Sequence, residues 1–141
     1  MKRVVSLLGA TGSIGSSTLS VFDAHPEKFE LYSVAAHSNW EKLQEIVEKY
    51  NVPHVAMWNP EAAEKLSNAL GREVKTGMDA FLSFVSDPAV DVVLNALVGA
   101  VGCLPTVKAI ENNKVVALAN KETMVMAGTF INSLLKQYPA A

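Results

Sequence analysis

Seven residues close to the amino terminus, Gly9-Ala10-Thr11-Gly12-Ser13-Ile14-Gly15, carry the strongest chemical signal in the sequence. Glycines at this spacing permit a tight turn and let main-chain N–H groups come close to a bound phosphate. A helix starting inside the segment would add unpaired N–H groups and the positive end of its dipole. Ala10 stands where the first glycine of G-x-G-x-x-G is expected and Gly9 falls one place earlier, so the pattern is the variant G-x-x-G-x-x-G. No Gly-Lys-Ser/Thr follows, which excludes a P-loop. Between an apolar run and a helical one, the segment reads as a cradle for a dinucleotide pyrophosphate, with Thr11, Gly12, Ser13 and Ile14 at its centre. The alternative is a glycine turn that only joins strand to helix.

Two further segments hold polar residues where a ligand would meet them. An NAD site places Asp or Glu about 20 residues beyond the glycines, for the ribose 2′-hydroxyl. This chain has Ala35-Ala36-His37-Ser38-Asn39 there, without a carboxylate. A carboxylate would repel a 2′-phosphate, whereas His37, Ser38 and Asn39 can donate hydrogen bonds to one, so NADP is favoured although no arginine is present. Asn39 is equally a good helix cap. Farther on, Asn120-Lys121-Glu122 follows the last apolar run. Asn120 can cap a helix and Glu122 suits its dipole, but Lys121 is a cation at the positive end, which suits an anionic or carbonyl-bearing ligand. The stretch Leu97-Val98-Gly99-Ala100-Val101-Gly102 either lines the far side of the cofactor or merely lets the chain turn. Cys103 reads as a small apolar filler, and His25 and His54, near prolines, as surface residues.

These segments need a scaffold. Strands are expected at Val4–Leu8, Phe29–Ala36, Val52–Met57, Glu73–Lys75, Val90–Leu97 and Val115–Ala119. Between them lie helices, one ended by His25-Pro26, one with Trp40, Leu43, Val47 and Tyr50 in a single stripe, and one opened by Asn59-Pro60-Glu61 and closed by Gly71. A short helix spans Asp79–Val85, another starts at Pro105, and the last carries Met124, Ala127, Ile131, Leu134 and Leu135 on one face. Strands alternating with helices over short connections require crossovers, hence a doubly wound, mainly parallel, Rossmann-like α/β sheet with helices on both faces. The strands lack polar alternation, as burial on two sides demands. Ligands in this architecture lie beyond the carboxyl ends of the strands, where all three polar segments fall.

Composition agrees. The 141 residues are 50% hydrophobic and 18% charged, with a formal net charge of −2 and one cysteine. That is too apolar for disorder, and it lacks the basic excess of a nucleic-acid surface. One cysteine excludes a disulfide framework. The apolar stretch Val92–Pro105 falls short of the ~20 residues of a membrane span. No targeting segment is visible, so a cytoplasmic location is expected.

The opening Gly-Ala-Thr-Gly-Ser-Ile-Gly, with Leu118-Ala119-Asn120-Lys121-Glu122 after the last strand, resembles the amino-terminal domain of the 1-deoxy-D-xylulose 5-phosphate reductoisomerase family over essentially all 141 residues. The family isomerises that phosphosugar and reduces it with NADPH to 2-C-methyl-D-erythritol 4-phosphate in non-mevalonate isoprenoid synthesis, using a divalent metal, Mg or Mn, and acting as a homodimer. The resemblance implies that Thr11, Gly12, Ser13 and Ile14 bind the pyrophosphate side of NADPH. It implies that His37, Ser38 and Asn39 face the 2′-phosphate, that Asn120 and Glu122 contact cofactor, and that Lys121 contacts substrate. The family usually has Gly, a small or basic residue and then Asn at the second strand; here His37 and Ser38 precede Asn39. Its acidic metal ligands and catalytic residues lie downstream of the matched segment. Residues 1–141 are therefore expected to be the cofactor domain of a longer enzyme, binding NADPH but inactive alone. The alternatives are the cofactor half of another NADP-dependent enzyme, such as a semialdehyde dehydrogenase, and a free-standing NADP-sensing module.

Overall fold

The computed structural model describes residues 2–119, 133 and 135–138. Six parallel strands, β1 (Arg3–Leu8), β2 (Phe29–Ala36), β3 (His54–Met57), β4 (Lys75–Thr76), β5 (Val92–Asn95) and β6 (Val115–Leu118), form one sheet in the order β4-β3-β2-β1-β5-β6. Five helices connect them: α1 (Ser13–Ala24), α2 (Trp40–Tyr50), α3 (Pro60–Leu70), α4 (Gly77–Ser86) and α5 (Cys103–Glu111). Of the expected last helix only residues 133 and 135–137 are described, and they are helical; the rest lies outside the described residues.

The sheet is covered on both faces. Val5, Leu7, Leu31 and Met57 point to one side and pack with Leu19 and Phe22 of α1, Leu43, Ile46 and Val47 of α2, and Leu66 of α3. Leu8, Ala35, Ala56 and Val93 point to the other side, with Phe81, Phe84 and Val85 of α4 and Ala109 of α5. Consecutive residues thus serve different layers, which is why the strands read as apolar runs without alternation. Within this core Ser6 and Ser33, register partners on β1 and β2, satisfy each other through a 2.7 Å hydrogen bond.

Local signals fix most helix ends. Asn39 Oδ1 accepts from the Lys42 N–H at 3.2 Å and Asn59 Oδ1 from the Ala62 N–H at 3.0 Å, while Gly71 closes α3 with a φ of +69°. Several details differ from the expectation. Helix α5 begins at Cys103, after a 3₁₀ turn at Ala100–Gly102, because a proline is tolerated in the first helical turn and Pro105 need not be its first residue. Strand β5 is only Val92–Asn95, since its ladder with β6 ends at the Asn95–Leu118 pair and the chain then leaves the sheet. His54 is not a surface loop residue. It opens β3, half-buried, with its ring 4.6 Å from that of Tyr32 and 6.2 Å from that of Phe84.

Strand order reverses between β1 and β5. The chain runs outward from β1 through β2 to β4, then returns to place β5 on the other side of β1. In an open parallel sheet this reversal leaves a crevice at the carboxyl ends of the two strands.

Candidate cofactor site

A cleft of about 430 Å³ occupies that crevice, and its walls differ in character. Gly9, Thr11, Gly12 and His37 line one side, from the ends of β1 and β2. Trp58, Phe81, Ala96, Leu97, Val98 and Val101 line the other. A mostly apolar cavity with a few convergent polar groups is the usual form of a small-molecule site.

The three glycines of the opening turn do different work. Gly9 has a φ of +81°, and a Cβ there would come within 2.5 Å of the Ala96 carbonyl oxygen, so close approach of β1 to the chain leaving β5 demands glycine. A Cβ on Gly15 would run into the Ala10 carbonyl oxygen and lie 2.6 Å from that of Gly9, so glycine lets α1 pack onto the turn. Gly12 is unlike both. Its φ is −82°, open to any residue, and a Cβ there meets only the Gly9 carbonyl oxygen, at 3.7 Å. Packing does not explain that glycine; space left for a ligand does.

Gly12 is also the N-cap of α1. No side chain caps this helix and no acidic residue stands in its first turn, whereas α2 and α3 each have an asparagine cap and a glutamate there. The first-turn donors of α1 and the positive end of its dipole face the cleft margin without a protein counter-charge in that turn, an arrangement that suits a phosphate. The turn itself is held from β2, since the Gly9 and Ala10 N–H groups both donate to the Ala35 carbonyl, at 2.8 and 3.0 Å.

The structure brings together much of what the sequence singled out. Thr11, Gly12 and His37 share the cleft; Ser13 and Ile14 begin α1 beside it, exposed. Ser38 and Asn39 are exposed at the end of β2 and do not line the cleft, and the Asn39 carboxamide oxygen is engaged in capping α2. Leu97, Val98 and Val101 form the far wall, which favours the lining role for that segment over a plain turn. Cys103 is half-buried and outside the lining. Asn120, Lys121 and Glu122 lie outside the described residues.

Sequence reasoning missed four residues here. Trp58 follows β3 directly and its ring stands 5.8 Å from that of Phe81; its place after a strand could have marked it. Phe81, on α4, had no local signal. Asn95 is fully buried at the end of β5, donating at 2.8 Å to both the Gly102 carbonyl and Thr106 Oγ1, while its oxygen accepts from the Leu97 N–H at 3.2 Å. That carboxamide fixes the far wall onto α5. Lys42 reaches from α2 to the glycine turn, donating to the Thr11 carbonyl at 3.1 Å and to Ser16 Oγ at 3.0 Å.

Among the described residues no three His, Cys, Asp or Glu side chains gather as metal ligands, and no helix is long and apolar enough to cross a membrane.

Comparison with known proteins follows the same lines. Residues 5–128 match the sequence profile of 1-deoxy-D-xylulose 5-phosphate reductoisomerase. The enzyme of that name from Leptospira interrogans serogroup Icterohaemorrhagiae serovar Lai (strain 56601) is 42% identical over 140 residues, covering 98% of this chain and 36% of that protein. A Zymomonas mobilis reductoisomerase in complex with NADPH superposes with a TM-score of 0.91 at 30% identity, over 99% of this chain and 37% of the other. A DOX-P reductoisomerase in complex with NADPH, fosmidomycin and magnesium gives 0.91 at 31% identity, over 96% and 34%. The chain thus spans little more than a third of the length of the relatives it matches.

Proposed function

Because the chain belongs to the 1-deoxy-D-xylulose 5-phosphate reductoisomerase family, we propose that residues 1–141 form the NADPH-binding domain of an enzyme that converts 1-deoxy-D-xylulose 5-phosphate to 2-C-methyl-D-erythritol 4-phosphate. One observation carries the cofactor reading: Gly12, at the uncapped start of α1, keeps clear a space that no protein atom needs. Relatives solved with NADPH at about the same fold support it.

In this reading Thr11, Gly12, Ser13 and Ile14 surround the pyrophosphate, with the first-turn N–H groups of α1 and its dipole supplying the attraction. His37, Ser38 and Asn39 face the adenosine side, and the absence of a carboxylate there leaves room for a 2′-phosphate. The apolar wall of Trp58, Leu97, Val98 and Val101 lines the opposite side of the cleft. NADPH supplies a hydride when bound. Asn120 and Glu122 are proposed to touch cofactor and Lys121 the phosphosugar, by their match to the family motif. By the family resemblance, the divalent metal is assigned to acidic ligands downstream of the matched segment. The whole enzyme would work as a cytoplasmic homodimer.

Titrating the 141-residue chain with NADPH and NADH by calorimetry tests the reading. NADPH should bind more tightly, and no 1-deoxyxylulose 5-phosphate should be turned over even with manganese. Absence of binding to either nucleotide would overturn the cofactor assignment; turnover would show that catalytic residues lie within the domain.

A further inference from the structure

The proposed 2′-phosphate subsite is short of charge. His37, Ser38 and Asn39 are all exposed, and none is a permanent cation. Lys42 stands three residues beyond Asn39, in the first turn of α2, and its side chain does not simply extend into solvent. It crosses to the glycine turn, where Nζ donates to the Thr11 carbonyl at 3.1 Å and to Ser16 Oγ at 3.0 Å, in a half-buried position. The side chain therefore spans the two segments, the end of β2 and the turn after β1, that flank the adenosine ribose in the reading above.

The two hydrogen bonds to neutral oxygens hold the ammonium in place against its side-chain entropy but give it no counter-charge. The ion pairs among the described residues are His25–Glu27 and Lys49–Asp23, so no described carboxylate is ion-paired with Lys42, although Asp23 and Glu45 line the same shallow depression. An ammonium has three N–H donors. Thr11 and Ser16 take two and leave one donor with the full charge. A cation pinned in place, with no direct ion pair, beside an anion cradle is arranged for an anion.

Resting on the cofactor reading, we propose that Lys42 supplies the positive charge that recognises the 2′-phosphate, and so selects the phosphorylated dinucleotide over the unphosphorylated one. A charge-assisted hydrogen bond to a phosphate dianion is stronger than the neutral bonds available from Ser38 and Asn39. NADH carries a hydroxyl at that position and would gain little from the same ammonium.

The 141-residue chain, Lys42→Met and Lys42→Arg should each be titrated with NADPH and with NADH, at low and high salt. Lys42→Met should bind NADPH about tenfold or more weakly while NADH affinity stays within about twofold. Lys42→Arg should keep most of the NADPH affinity, which also decides the matter if the Met variant folds poorly. Salt should weaken NADPH binding more steeply in the parent than in Lys42→Met. Equal loss for both nucleotides would overturn the proposal, because Lys42 would then only hold the Thr11 turn. No change in either, or a parent chain without preference for NADPH, would overturn it as well. A parent chain that binds neither nucleotide instead removes the cofactor reading beneath it.

Discussion

Depressions of similar size, about 490 and 430 Å³, border the amino and the carboxyl ends of the strands, but the two edges engage their polar groups differently. On the amino edge, Asp91 Oδ2 accepts the Val4 N–H at 2.9 Å, and the Asp91 N–H returns to the Val4 carbonyl at 2.8 Å. Lys114, only 7% exposed, donates to the Asp87 and Val90 carbonyls at 2.7 and 2.6 Å. Helices α1 and α2 end on this edge, where Asp23 accepts from Tyr50 at 2.6 Å and from Lys49 at 3.1 Å. On the carboxyl edge, α1 starts without a side-chain cap beside a 430 Å³ cleft. Every parallel sheet creates unpaired groups at both ends of its crossovers. The bonds on the amino edge serve stability, while on the other edge α1 starts with no side-chain cap, as the proposed ligand site requires. A lysine marks each edge, and their acceptors tell them apart. Lys114 is spent on two carbonyls in a buried corner, whereas Lys42 holds a donor and its charge beside the cleft.

The sharpest way to break this contrast is within the glycine turn. Gly9→Ala should be the most damaging change, costing about 3 kcal/mol or more in urea unfolding, because left-handed backbone strain adds to collision with the Ala96 carbonyl. Gly12→Val should leave stability within about 1 kcal/mol of the parent yet weaken NADPH binding about a hundredfold, since its side chain enters space only the phosphate uses. If both glycines proved equally structural, the cleft edge would have lost its special status.

A second pair separates the edges at smaller amplitude. Lys114→Met and Asn95→Ala each strip partners from buried carbonyl or hydroxyl groups, and each should lower stability by about 2 kcal/mol in chemical denaturation. Only Asn95→Ala should also weaken NADPH binding, because only that residue fixes the cleft wall from Leu97 to Gly102.

The smallest effect belongs to the exposed pin on the amino edge. The hydrogen bond from Tyr50, and then that from Lys49, holds the Asp23 carboxyl below its ordinary value of 3.8. Bonding to Asp23 raises Lys49 above 10.5. The carboxylate contributes stability above pH 3.8 that is lost as pH falls through its lowered folded value, and the ammonium contributes below pH 10.5 until pH rises through its raised one. Asp23→Asn should therefore lower Tm slightly at pH 7, with the gap to the parent closing in acid, as thermal melts across pH would reveal.

How much of this was legible beforehand varies with the range of the interaction. Asn39, Asn59, Pro60 and Gly71 announce helix ends because caps act over a turn or less. Unalternating strands announce a sheet buried on both faces, and the glycine spacing announces a phosphate turn. Asn95 gave no such notice. Its partners lie 2, 7 and 11 residues away and meet it only after the chain leaves β5 and turns back through α5. His54 reads as a surface residue beside Pro53, and only the fold sets it, half-buried, between two aromatic rings.

The sequence alone determined the architecture, the turn and the class of ligand it suits, because periodicity, capping and glycine are local properties of the chain. Which glycine spares room for packing and which for a ligand was decided only in three dimensions, since the answer depends on carbonyls brought in from β5 and from the turn itself. The same is true of Lys42. Its charge is written in the sequence, but its service to the cleft comes from Thr11 and Ser16, 31 and 26 residues away, and only folding sets them against it.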